Sequence, residues 1–188
     1  MITAAHCVYT SDRRAYERVD DVLVLRSEAS NYKVTIGVQN TEIPEETQQT
    51  YEVQFVLIHH LYDPSKSFYS QFDYDIALIR LKEPSIKEWG SHSQPICLPD
   101  PDPEALNVDR HPDTMGILVG WGHDGFSMTG EDRSTKDLRR AYIPILANTE
   151  CQTKFRDPAF KVKNHHLCAG HRNGKIDGCQ VRKQNIGA

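Results

Sequence analysis

Valine, isoleucine, leucine and tyrosine gather in six short runs, at 22–27 (VLVLRS), 32–38 (YKVTIGV), 51–60 (YEVQFVLIHH), 76–81 (IALIRL), 116–122 (GILVGWG) and 139–146 (RRAYIPIL). Glycine, proline, asparagine, aspartate or serine clusters bound most of them, the signature of strands separated by turns. Sustained 3.6-residue periodicity is absent. One short helix is predicted over 148–157 (NTECQTKFRD), where Asn148 or Thr149 can cap and Glu150 falls in the first turn. Many short strands with long polar loops predict an all-β barrel or sandwich. Residues 91–114, rich in proline and aspartate and poor in strand signal, read as a linker between two β lobes. No fixed-period repeat and no low-complexity tract interrupts this pattern.

Length and composition are compatible with that reading. The 188 residues suffice for one substantial domain or two small lobes sharing a core, and 38% hydrophobic with 26% charged residues predicts a folded chain. A formal net charge of −4 gives no basic footprint for nucleic acid and no polybasic face for a membrane, so neither is expected as a partner. No apolar run approaches the roughly 18 residues of a membrane helix. Met1 is followed directly by Ile-Thr-Ala-Ala-His-Cys, without the charged and apolar regions of a signal peptide.

The cysteines complicate the picture. Five occur, at 7, 97, 151, 168 and 179. An odd number implies an intermolecular bond, a free thiol or partners elsewhere. No CxxC pair or HxxxH spacing suggests zinc, and no metal or cofactor is expected.

Two residues stand out chemically. His6 lies in TAAHC, and Asp75 lies in DYDIALIRL immediately before a strongly apolar run. An imidazole is an effective general base when a carboxylate fixes its tautomer and stabilises the imidazolium that forms. With nine histidines and 26 acidic residues, one such pair means little by itself. His59-His60 and His165-His166 are candidate metal pairs, but neighbours in a strand point to opposite faces, so surface or capping roles are expected.

The surrounding motifs carry more weight. ITAAHC, DYDIALIRL, PICLP, LVGWG and CAG…DGCQ follow one another in the order and approximate spacing of the trypsin/chymotrypsin family of serine peptidases, which this chain resembles from residue 1 to about 180. The resemblance implies two antiparallel six-stranded β-barrels with a cleft between them. Residues 1–90 would be the remainder of the first barrel, 91–114 the inter-barrel linker and 115–188 the start of an incomplete second barrel. It implies that His6 is the catalytic base, Asp75 its orienting acid, and Asp177 the floor of a pocket that selects arginine or lysine in protein substrates. Gly116, where many digestive trypsins carry a cysteine, and the long loops at 10–30 and 123–137 look like the peptidases of the complement lectin pathway.

The resemblance also sorts the cysteines. It implies a Cys151–Cys168 disulfide, a bond from Cys97 to an upstream chain, and partners for Cys7 and Cys179 beyond this sequence. Such bonding implies a secreted, extracellular parent protein. The segment 37–53 (GVQNTEIPEETQQTYEV) occupies the place of a calcium loop in some trypsins. Val38 stands where that loop has its first acidic ligand, so a solvated acidic loop is expected around Glu42, Glu45 and Glu46.

One part is missing from the pattern. After Gln180 the family places Gly-Asp-Ser-Gly-Gly, supplying the nucleophile and oxyanion-hole amides, whereas here Val181 to Ala188 read VRKQNIGA. Ser127 and Ser134 fall in an expected surface loop, and no serine follows Asp177. The expectation is a domain truncated at both ends, inactive as written. The alternative is a non-catalytic pseudo-peptidase that acts as a binding module.

Overall fold

The computed structural model describes residues 1–26, 28–65, 73–82, 86, 89–99, 114–122, 135–154 and 161–172. They are predominantly β. The chain divides into two compact units, one formed by Met1–Gly37 and Glu46–Gln94, the other by Val38–Glu45 and Pro95–Ala188.

Among the described residues, the first unit holds six strands: β1 (Ile2–Thr3), β2 (Tyr16–Val19), β3 (Val22–Leu25), β4 (Lys33–Ile36), β5 (Gln49–His59) and β6 (Ala77–Leu81). All pair antiparallel in the order β1-β6-β5-β3-β2, with β4 joining β5. The eleven-residue β5 is the spine, pairing with β4 through residues 49–52, with β3 through 56–59 and with β6 through 53–58. Its inward side chains are Tyr51 and Val53 in the first half but Val56 and Ile58 in the second. A bulge between Val53 and Phe55 explains this switch: one extra residue on β5 reverses which parity faces inward. The core is completed by Ala5, Val8, Leu25, Ala29, Tyr62 and Ala77.

The strand β2 lies inside the stretch 10–30 that was expected to be a loop. Tyr16-Glu-Arg-Val offers apolar residues only at its ends, so its pairing with β3 comes from tertiary context. Asp20, at φ 51°, carries the two-residue turn between them, a left-handed position that aspartate tolerates.

The second unit pairs β7 (Met115–Gly120), β8 (Arg139–Leu146) and β9 (Cys168–Ala169) in one antiparallel sheet. A helix, α1 (Asn148–Lys154), follows β8. Its first bond runs from the Cys151 N–H to the Ala147 carbonyl at 2.9 Å, which places the cap at Ala147. Asn148 instead donates its side-chain amide to the Lys163 carbonyl. The remainder of the predicted helix, 155–157, lies outside the described residues. Cys151 of α1 and Cys168 of β9 form a disulfide with Cα atoms 6.2 Å apart, as the resemblance implied.

Val38–Glu45 is stitched to this unit by backbone and side chain. The Thr41 N–H donates to the Lys136 carbonyl at 2.9 Å, the Leu138 N–H to the Gln39 carbonyl at 2.7 Å, and the Asn40 side chain to Asp137 at 2.7 Å. The acids of this segment are engaged locally. The Glu45 carboxylate accepts the Gln39 and Asn40 N–H groups at 2.8 and 3.2 Å, and Glu42 pairs with Lys136 at 3.1 Å.

Candidate active site

His6 and Asp75 meet because of strand register. The β1–β6 ladder pairs Ile2 with Leu78 and Thr3 with Ala77. Continued past Thr3, that antiparallel register brings residue 6 opposite residue 74, next to Asp75. A 3₁₀ turn over Ala5–Cys7 takes the chain off the end of β1. It buries Ala5 and Val8, three residues apart on one side of the turn, and leaves His6 and Cys7 exposed.

The pair is joined twice. His6 Nδ1 lies 2.6 Å from Asp75 Oδ2, and the His6 backbone N–H donates to Asp75 Oδ1 at 2.8 Å. The Asp75 side chain is 16% exposed and that of His6 54%, so the carboxylate is sheltered while the imidazole opens to solvent. An ionised carboxylate only accepts, so the proton of a neutral imidazole sits on Nδ1 and Nε2 keeps its lone pair. Cys7 Sγ lies 3.5 Å from Nε2. Tyr62, buried and in edge contact with Tyr9, has its hydroxyl pKa pushed up by burial and then by the Asp75 charge.

The backbone around Asp75 is constrained. Tyr74 adopts φ 56°, and its ring stacks on that of His59. Nothing in the sequence marked Tyr74 or His59 as part of this neighbourhood, because neither residue type signals a left-handed turn. The rings of His59 and His60 stack at 4.8 Å, contrary to the expectation that they diverge. β5 ends at His59, so His60 is free of the strand's alternation. His59 Nδ1 accepts the Leu61 N–H, and His166 Nδ1 accepts the Lys163 N–H, both capping contacts.

Among the other predicted residues, Cys7 and Cys97 are exposed free thiols. Asp177 and Cys179 lie outside the described residues, as do Ser127 and Ser134.

This doubly hydrogen-bonded His–Asp pair lies on a six-stranded antiparallel sheet. The profile described as Trypsin matches residues 1–181. The chain belongs to the trypsin family. Among curated relatives, the atrial natriuretic peptide-converting enzyme of Rattus norvegicus is 31% identical over 156 residues, covering 83% of this chain and 12% of the relative. The Mus musculus and Homo sapiens proteins of the same name are 32% and 30% identical over 154 residues, each covering 82% of this chain. This chain thus spans about an eighth of their length, 12–13%. The narrower likeness to complement peptidases gains nothing from these three relatives. No helix among the described residues is long and apolar enough to cross a membrane.

Proposed function

We propose that this chain is the serine-endopeptidase domain of a trypsin-type hydrolase, in which His6 is the general base, Asp75 orients it, and Asp177 selects arginine or lysine beside the cleaved bond. The observation that carries this reading is the double hydrogen bond between His6 and Asp75. In the reaction, Nε2 takes the proton of a serine hydroxyl as that oxygen attacks the peptide carbonyl. The resulting imidazolium is stabilised across Nδ1 by Asp75 and returns its proton to the leaving amine. A carboxylate at position 177 would pair with a cationic side chain in a poorly hydrated slot.

The 188 residues place no serine after Asp177. A nucleophile and its oxyanion amides are worth orders of magnitude in rate, so in this reading hydrolysis is expected only where a serine turn is supplied. The name of the relatives, which refers to conversion of a peptide, supports a peptide or protein as the substrate class. The Cys151–Cys168 bond supports an oxidising compartment, and the exposed Cys97 supports a disulfide to another chain.

The test is a pair of proteins assayed on arginyl, lysyl and leucyl amides: the 188-residue chain, and a version in which Gly-Asp-Ser-Gly-Gly and the following family segment replace Val181–Ala188. The first should be inert. The second should cleave after arginine and lysine, lose that activity on His6→Ala, and lose the basic preference on Asp177→Ser. A folded, serine-bearing version with no hydrolysis would reject the catalytic assignments and favour a binding role.

A further inference from the structure

The backbone reaches Asp75 through a conformation its residue types do not favour. Tyr74, at φ 56°, occupies the left-handed region that a residue with a Cβ avoids. Such a conformation persists only where its surroundings over-determine it. The end of β5 supplies the constraint. The Tyr74 ring lies against the His59 ring with centroids 4.8 Å apart and planes 14° apart. The His59 N–H donates to the Ile76 carbonyl at 3.2 Å, and the Ile76 N–H donates to the Tyr74 carbonyl at 2.7 Å. That last bond closes a three-residue turn with Asp75 at its centre.

His59 is a firm anchor for this turn. It pairs with Val22 across β3, its Nδ1 accepts the Leu61 N–H at 3.2 Å, and it stacks on His60 with planes 15° apart. The neighbouring strand positions Val56 and Ile58 are fully buried. The ring stack therefore joins a rigid strand end to a turn that its own sequence would not hold.

We propose that the Tyr74–His59 stack is a clamp that aims the Asp75 carboxylate at His6, making Tyr74 and His59 positioning residues of the pair. The proposal rests on the reading of His6 and Asp75 as base and orienter. Asp75 must meet two donors at once, Nδ1 at 2.6 Å and the backbone N–H at 2.8 Å. Relaxation of φ at Tyr74 swings the next residue, and a carboxylate displaced by about 1 Å satisfies at most one donor. An aromatic ring of either kind serves the clamp, whereas a methyl group does not.

Nuclear magnetic resonance of the 188-residue chain and three variants tests this. Tyr74→Phe keeps the stacking ring, Tyr74→Ala removes it, and His59→Ala removes its partner. The readouts are the His6 Nδ1–H resonance and the hydrogen exchange of the His6 amide, set against the core amides of Val56 and Ile58. The phenylalanine variant should match the parent. Both alanine variants should lose the Nδ1–H signal to solvent exchange and speed His6 amide exchange about fivefold, the scale of one aromatic stack, while the core amides hold. Alanine variants that keep both His6 signals, or that speed the core amides equally, would overturn the clamp, as would a phenylalanine variant behaving like alanine. A parent chain lacking the Nδ1–H signal would instead overturn the base-and-orienter reading, and the clamp with it.

Discussion

Asp75 holds His6 through both carboxylate oxygens, one on the ring nitrogen Nδ1 and the other on the residue's own backbone N–H. The second bond matters because it ties ring and backbone to a single anion. Rotation of the imidazole about its side-chain bonds is then limited from two directions. The lone pair on Nε2 is held facing away from the carboxylate, where an attacking hydroxyl could be deprotonated.

Asp75→Asn separates those two functions. The amide oxygen can still accept the His6 backbone N–H, but its NH2 group then faces Nδ1 and forces that nitrogen to become the acceptor. Nitrogen-15 shifts should show protonation moving from Nδ1 to Nε2, with the fold unchanged. In a version supplied with the serine turn, hydrolysis should fall by about four orders of magnitude. An unchanged tautomer would reject this account.

Gly37 is held at φ 72°, and a Cβ there would run into the Thr47 carbonyl oxygen. The Thr47 hydroxyl also donates to the Gly37 carbonyl at 2.9 Å, which pins the two segments together. Gly37→Ala combines an unfavourable φ with a backbone clash that no side-chain rotation relieves. It should cost about 2–3 kcal/mol of stability in urea unfolding. A loss under about 0.5 kcal/mol would show that the turn opens without penalty.

The strands were legible wherever a run of β-branched and aliphatic residues coincided with burial, as in β3, β5 and β6. The His6–Asp75 pair was legible through its flanking motifs alone, since histidine and aspartate recur too often for composition to select them. What escaped was set by tertiary context. β2 carries charges at its centre and forms because β3 offers an open ladder. The inward parity of β5 changes at a bulge that no residue type announces. The left-handed turn at Tyr74 has no glycine or asparagine to betray it, and the stacking of His59 on His60 follows from where β5 stops. The joining of Val38–Glu45 to the second unit combines backbone bonds with the Asn40–Asp137 and Glu42–Lys136 contacts, between residues too far apart in the chain for local pattern to pair them.

The Cys151–Cys168 bond links α1 to β9 across 17 positions. A loop of that size restricts the unfolded chain enough to contribute about 3 kcal/mol. Cys151→Ser, or reduction of the parent, should therefore lower the melting temperature by several degrees. Hydrogen exchange at Cys168 and Ala169, whose pairing with Leu146 and Ile145 is only two residues long, should rise before that of β5. Equal melting temperatures with and without reductant would argue against a stabilising bond.

Tyr16 should make the fold sensitive to alkali. Burial pushes its hydroxyl pKa from 10.0 up to about 12. The protonated hydroxyl accepts the Thr10 N–H at 2.6 Å and donates to the Thr10 carbonyl at 3.1 Å, and deprotonation removes that donor. Because the folded pKa lies above the unfolded one, the folded chain holds this proton more tightly. Its stabilising contribution is complete below pH 10 and is lost as pH rises toward 12. Tyr62, also raised by burial and by the Asp75 charge, acts in the same direction. Urea unfolding should therefore give constant stability to about pH 9 as far as these tyrosines are concerned, then a decline. Tyr16→Phe should make that decline shallower, with Tyr62 still contributing to what remains. A variant whose alkaline decline equals that of the parent would show that Tyr16 ionises as freely in the folded chain as in the unfolded one.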